Sequence, residues 1–387
     1  MARPFPGATV AAAGANQVVS RVDVVQAGQL LFTTDKTVAI PGTQVSIVDG
    51  SATFDETRSI RGTATVVLSL DATTAALVPT TPTSPFSPVA PTEVIPYVGF
   101  IDPATGAQLL TQLGVFEISD VDVVEDGGAL TMTLTCADRT AKFDRARFIN
   151  PYTVSSFSNF TDAITALVSA VDPNADLQVT PTTYATPLLT FDMESTYLDA
   201  IRQMCDAIGY VFRVDWQGRY VVVPFDQTGD PVWTLTETSD TRMTQIKRNL
   251  SKSKVYNGVV VRGESAGTTS PPVEGQAWDT DPSSPTYYDP ANPLASTYGP
   301  VPFFYTSQLI TTQAQANDAA AARLPKVTGL VERLSATTRL NPAMEPGDLC
   351  SVTRARVGAS GVYVLESVGP IGLRAGAMQI TMRERRL

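Results

Sequence analysis

Histidine is absent from this 387-residue chain. That absence removes the commonest general base, the commonest metal ligand and every Ser-His or Cys-His nucleophile pair, so an enzyme ranks last among the readings. Cysteine is scarce as well. Cys136, Cys205 and Cys350 are odd in number, lie far apart and show no CxxC spacing, which points to buried thiols rather than a zinc site or a disulfide framework. No segment approaches the roughly 20 apolar residues that a membrane-spanning helix needs. Met1-Ala2-Arg3-Pro4-Phe5-Pro6 also lacks the charged region and apolar run of a secretion signal, so the expectation is a chain made and folded in the cytosol. Charge is thin: Asp, Glu, Lys and Arg make up 17% of the residues, and Thr, Ser, Val and Ala fill the gap, the composition of a β-rich surface or interface. With 28 Lys and Arg against 38 Asp and Glu, the net charge of −10 argues against a grip on nucleic acid through its phosphates. An acidic surface instead lets a polyanion pass without sticking.

What is present is mostly β. At this length two or three domains can each bury a core. Val22 to Val25, Thr43 to Val48 and Thr63 to Leu70 read as strands, with Asp49-Gly50 expected as a hairpin turn after the second. Asp55 to Gly62 is charged and reads either as a solvated strand end or as a salt-bridge strip between subunits. Residues 78–96 are rich in Pro, Ser and Thr and read as a long ordered loop, because strands resume at Tyr97 to Ile101, Gly114 to Val123 and Leu130 to Asp138. Asp126-Gly127-Gly128 joins the last two as a hairpin.

The period changes near Asn150. Phe160, Ile164, Leu167, Val168 and Val171 recur at helical spacing, as do Leu198, Ile201, Met204, Cys205 and Ile208 before Gly209. These are packing faces rather than cofactor boxes. Tyr210 to Pro224 then folds back around Gln217-Gly218. β character returns at Ile246 and at Tyr256-Asn257-Gly258-Val259-Val260-Val261-Arg262-Gly263, followed by an irregular stretch over 267–302. Thr312 and Gln315 form a capping-box pattern before an Ala-rich helix ending near Leu324-Pro325. Glu345-Pro346-Gly347-Asp348 has the residues of a type II turn and opens a hairpin made by Leu349 to Thr353 and Val362 to Val368, with Gly358 to Gly361 as its loop. Gly372 to Gly376 reads as a further hairpin turn, and Met378 to Met382 finishes the region. The plan is mainly β, a β-rich α+β chain: a β domain over 1–150, a small α+β insert over 151–245 and a second β domain over 246–387.

One cluster invites chemistry. Trp278-Asp279-Thr280-Asp281 with Tyr287-Tyr288-Asp289 mixes aromatics that could stack on a sugar with carboxylates that could act as acid and base or hold a cation. The EF-hand glycine and terminal glutamate are missing, so an interaction loop is the leading reading of 278–289. Arg383-Glu384-Arg385-Arg386 reads as a basic tail, either solvated or touching an acidic neighbour. No catalytic, cofactor-binding or metal-ligating residue is assigned.

The order of Asp55 to Arg61, Leu113-Gly114-Val115-Phe116, Cys136-Ala137-Asp138-Arg139, Tyr256 to Gly263, Tyr298-Gly299, Tyr305-Thr306-Ser307, the Ala-rich helix and Asn341-Pro342 with Glu345 to Asp348 resembles the baseplate hub family of bacteriophage tail tips, over about Val22 to Arg383. The resemblance implies a virion tail-tip protein with two β-barrel-like hub domains around the insert. It implies a homotrimer that joins a sixfold tail tube to a threefold tip around a DNA channel. Implied partners are a distal tail or tail tube protein, a tape measure protein and a central fibre or other tip proteins, with DNA a transient passenger and no cofactor. With the sequence ending at Leu387, wall-degrading or receptor-binding work is expected on another chain. A distal tail adaptor, a carbohydrate-binding module of the tip and, last, a hydrolase are the alternatives.

Overall fold

The computed structural model describes residues 3–6, 17–34, 45–154, 159–183, 185–186, 188–224, 229–236, 243–251, 255–263, 273–296, 298–307, 310, 313–328 and 331–385. Alternation of side chains builds its main sheet. In β4 (Gly62–Leu70), Ala64, Val66, Leu68 and Leu70 are buried, while Thr63, Thr65, Val67 and Ser69 point the other way. Fourteen strands join into one sheet. Its principal path runs β15-β19-β22-β21-β3-β4-β8-β7-β5-β1-β2, with β1 at Val18–Gln26 and β2 at Gln29–Thr33, and is open, so the expected mainly β class holds without a closed barrel among the described residues. The strands that matter below are β3 (Ser46–Asp55), β5 (Thr92–Ile101), β7 (Phe116–Asp126), β8 (Ala129–Asp138), β15 (Met243–Ser251), β19 (Val331–Arg339), β20 (Leu349–Arg354), β21 (Ala359–Gly372) and β22 (Ala377–Glu384).

β21 is the seam of the molecule. It starts paired to β20, continues against β22 and ends against β3, with Ser367 opposite Asp55 and Gly372 opposite Ser51. Strands from the two ends of the chain therefore lie side by side. One hydrophobic cluster runs beneath both, from Val66, Leu68, Met132 and Leu134 to Leu334, Val352, Leu365 and Ile380. Each such side chain removed from water contributes about 1.5–3 kcal/mol.

A second cluster belongs to the insert. Helices α1 (Ala141–Arg145), α2 (Phe160–Val171) and α3 (Tyr197–Ala207) pack over the hairpin of β12 (Tyr210–Val214) and β13 (Tyr220–Pro224). Asn159 and Thr196 accept from the backbone N–H of Asp162 and Asp199, which caps α2 and α3. The insert's core already includes Phe143 and Phe148. A third, small cluster places α4 (Gln313–Val327) through Ala316 and Ala320 against β16 (Gly258–Arg262), with β17 (Glu274–Trp278) and β18 (Pro302–Thr306) on its flanks.

Several local expectations differ from the structure. Asp49-Gly50 is not a turn: it lies inside β3, where a Cβ on Gly50 would stand 2.7 Å from the Thr65 carbonyl oxygen, so the glycine serves a close approach. The hairpin of β3 and β4 instead turns through Glu56 to Arg61. Pro96 belongs to β5 rather than to the loop before it. The irregular stretch over 267–302 contains β17, α4 extends to Val327, and Arg383 and Glu384 belong to β22 rather than to a tail. Thr312 and Arg386 lie outside the described residues. The hairpin through Gly127-Gly128, with Asp126 opposite Ala129, forms as expected.

Candidate functional site

The Trp278 to Asp289 cluster does not assemble a reactive centre. Asp279 Oδ2 accepts from the hydroxyls of Ser284 and Thr286, each at 2.5 Å, and Asp281 Oδ1 accepts from the backbone N–H and hydroxyl of Ser283. The carboxylates therefore hold the loop's own turns. Trp278 packs on Tyr288, with ring centroids 4.7 Å apart, and Tyr288 is buried, so this pair faces inward. Asn257 ties the loop down: its amide donates to the carbonyls of Thr286 and Gly299, and its side-chain oxygen accepts from Val301 N–H. The next residue, Gly258, leaves room for the Trp278 ring, which a Cβ would meet at 2.3 Å. The Tyr-Asn-Gly run is thus a fastening. Among the described residues no group of three or more Cys, Asp or Glu is placed to hold a metal ion.

Glu345 to Asp348 sits where three parts of the chain meet. The turn closes with Asp348 N–H donating to Glu345 O at 3.1 Å, and Gly347 has φ +96°. Arg3, buried, donates to Pro342 O and pairs with Glu345 at 3.1 Å. Arg61, also buried, donates to Pro346 O at 2.6 Å and pairs with Glu56 at 2.7 Å. The charged stretch after β3 is therefore not wholly solvated: Arg61 is buried, while Thr57, Arg58 and Ser59 at its tip are exposed. Burial pushes the Asp348 carboxyl above its ordinary range, although the indole N–H of Trp233 and the backbone N–H of Glu345 donate to it. Arg139, which donates to Glu93 and to Gly218 O, and Gln112, which donates to Trp216 O, fasten the insert to the sheet.

The feature with functional reach is the face of the long sheet opposite its core. Register carries one outward row across the sheet: Thr131, Thr133 and Thr135 of β8, Thr63, Thr65 and Ser69 of β4, and Ser51 and Thr53 of β3. The row continues beyond the seam through Gln379 and Thr381 of β22, Ser335 and Thr337 of β19, and Gln245 and Asn249 of β15. Hydroxyls and amides dominate, and none of these residues is buried. The strand edges bounding this face differ in charge. β5 leaves β7 after two register pairs, so the outer edge of β7 from Ser119 onward has no strand partner among the described residues and carries Asp120, Asp122, Glu125 and Asp126. At the far end β15 pairs, among the described residues, with β19 alone and carries the exposed Lys247, while its Arg248 is paired with Glu332 at 2.6 Å. Strand periodicity reveals that one face is polar; that these faces join across the seam is visible only in the fold.

No protein-family model and no curated protein matches the sequence. Solved structures do match. A tail protein from Neisseria meningitidis MC58 superposes with a TM-score of 0.63 at 12% identity, covering 95% of this chain and 97% of its own. The 43 kDa tail protein of prophage MuSo2 from Shewanella oneidensis gives 0.61 at 10%, covering 95% and 98%. The chain has the fold of phage tail proteins. The prophage tail protein gp18 of Listeria monocytogenes EGD-e gives 0.53 at 10%, covering 96% and 95%, so the likeness spans nearly the full length in each case. Identities this low establish architecture alone.

Proposed function

We propose that the chain is a structural, non-enzymatic baseplate hub of a phage tail tip, three copies of which form a ring around the passage for DNA. The observation that carries this reading is the single long sheet with a polar, weakly charged face and two open edges of opposite charge. An open strand edge is a template for another strand. An acidic edge on one copy and a basic edge on the next make a heterologous contact, and such contacts generate rings when the rotation closes. Residues 1–150 and 246–387 would then act as the two hub domains on either side of the seam, with the helical part of the 151–245 insert packed beside them and its end, Trp233 to Leu235 and Met243 onward, joined to their shared sheet. A hydroxyl-rich face suits a passage because it stays hydrated without binding phosphates. A distal tail or tube protein above, a tape measure protein within and a central fibre or other tip protein below are the partners of this reading.

Mass measurement on the purified protein tests it, together with the pair D120K/D122K and K247E. Three-chain particles that each charge-reversed variant disperses, and that re-form when the two variants are mixed, support the ring. Six-chain particles would favour the adaptor above the hub, and a stable monomer that binds isolated cell wall would refute both.

A further inference from the structure

Besides Lys247, which stands opposite Ser335, and the Asp120 and Asp122 carboxylates opposite Thr135 and Thr133, the polar face carries one pair of cations set side by side. Arg333 of β19 and Arg383 of β22 are register partners, so two guanidinium groups stand directly across from each other. Like charges so placed destabilise a sheet. Glu366 of β21 lies between them: Arg333 Nε is 3.1 Å from its Oε2, Arg333 Nη2 donates to Oε1 at 3.3 Å, and Arg383 Nε is 3.6 Å from Oε1. The side chains of Arg333 and Arg383 remain 43% and 31% exposed, whereas that of Glu366 is 12% exposed. Its position has a backbone cause. The register of β21 on β22 slips between Leu365 and Ser367, and an irregularity of this kind re-aims the residue within it. The carbonyl of Glu366 also accepts from Glu56 N–H at 2.9 Å, which fixes the strand where it passes from β22 to β3.

Two adjacent guanidinium groups on an exposed face have the geometry that holds phosphate oxygens through paired N–H donors. We infer that Glu366 is a built-in cap that keeps the Arg333 and Arg383 pair from binding the phosphodiesters of duplex DNA moving along this face. The inference rests on the passage reading above. Its content is narrower, since it concerns one carboxylate and the latent anion site beneath it. A purely structural role for Glu366, offsetting the repulsion of the two arginines, predicts lost stability on its removal and no new affinity.

The test compares wild type with E366Q, E366D and E366Q/R383Q in binding a fluorescein-labelled duplex of mixed sequence, by anisotropy over a range of salt. Particle mass and unfolding midpoint are measured on the same samples. E366Q is expected to bind more tightly at low salt, with the slope of log K against log salt steeper by at least about 0.9, the contribution of one uncovered cation, Arg333. E366D keeps the charge and stays at the wild-type level. E366Q/R383Q, which removes the repulsion and leaves Arg333 uncovered, keeps that added slope of about 0.9, and it decides the question should E366Q fail to fold. If the folded variants bind DNA no more tightly than wild type, the cap is refuted, whatever the particle mass. A monomeric wild type would refute the ring while leaving a gain of affinity in E366Q as evidence for the cap.

Discussion

Arg61 offers the sharpest test of how the two ends of the chain are held together. It donates to Pro346 O from a buried position and pairs with Glu56, whose side chain is 30% exposed. Truncation in R61A removes a charged hydrogen bond to a carbonyl, worth about 1.5–3 kcal/mol, and leaves that carbonyl short of a donor. The pair with Glu56 is partly screened and adds less than about 1 kcal/mol. One effect opposes the loss: the charge of Arg61 disfavours the protonated forms of both Arg3 and Arg213, so its removal relieves some repulsion. The net expectation is a loss of about 2–3 kcal/mol, or a Tm lowered by about 5–10 °C for a cooperative unit of about 150–250 residues. R58A is the internal control. Arg58 pairs with Asp55 at 3.3 Å but its side chain is 65% exposed, so its loss changes stability by less than about 0.5 kcal/mol. Urea and thermal unfolding of the two variants beside wild type decide the matter. If R61A is no less stable than R58A, the junction does not hold the ends as described.

N257A removes three hydrogen bonds from a buried site and is expected to cost about 3 kcal/mol; limited proteolysis between Asp279 and Tyr298 should accelerate before the main sheet yields, and unchanged cleavage would refute the fastening. Burial pushes the thiols of Cys136, Cys205 and Cys350 up to about 12, so a thiol reagent near neutral pH should label none of them in the folded protein and all three in urea. Because the folded Asp348 carboxyl titrates above its unfolded value, the native state holds its proton longer, and its contribution to stability falls as pH rises through that window. D348N should flatten this fall, read as urea midpoints across the acid range, and a wild-type curve that rises relative to D348N there would contradict the assignment. D279A should loosen the 278–289 loop by about 1–2 kcal/mol without removing any turnover on peptidoglycan; loss of a measurable activity would reinstate the loop as a catalytic site.

What was legible in the sequence is what depends on near neighbours. The alternation of Thr63 to Leu70, the spacing of Ile164, Leu167 and Val168, the turn chemistry at Gly127-Gly128 and Pro346-Gly347 and the helix stop at Gly209 each act over a few residues, and each appears in the structure. Asp49-Gly50 misled because a glycine serves both turns and close approaches, and only the Thr65 carbonyl opposite it distinguishes the two. Short strands such as β11 (Leu189–Phe191) and β14 (Trp233–Leu235) pair over three residues each, too few for a period to register. The seam between Ser367 and Asp55 lies beyond any local signal.

The polar face shows why function was harder to read than fold. A strand with one apolar and one hydroxyl row satisfies its half of a core whichever environment meets the other row, so Thr131, Thr133 and Thr135 look the same on a solvated sheet as on the wall of a passage. Threonine also favours strands for its branched Cβ, which adds a second ordinary reason for its abundance. What separates the alternatives is the treatment of charge across strands distant in sequence. The cations at Arg333 and Arg383 meet a carboxylate supplied by a slipped register in β21. On a merely solvated face Glu366 would only offset the repulsion between the two arginines, and its removal would cost stability without adding affinity for DNA. On a face that a polyanion crosses it would also cover the two cations, and for that reason Glu366, rather than the more numerous threonines, is the residue whose removal tells the two surfaces apart.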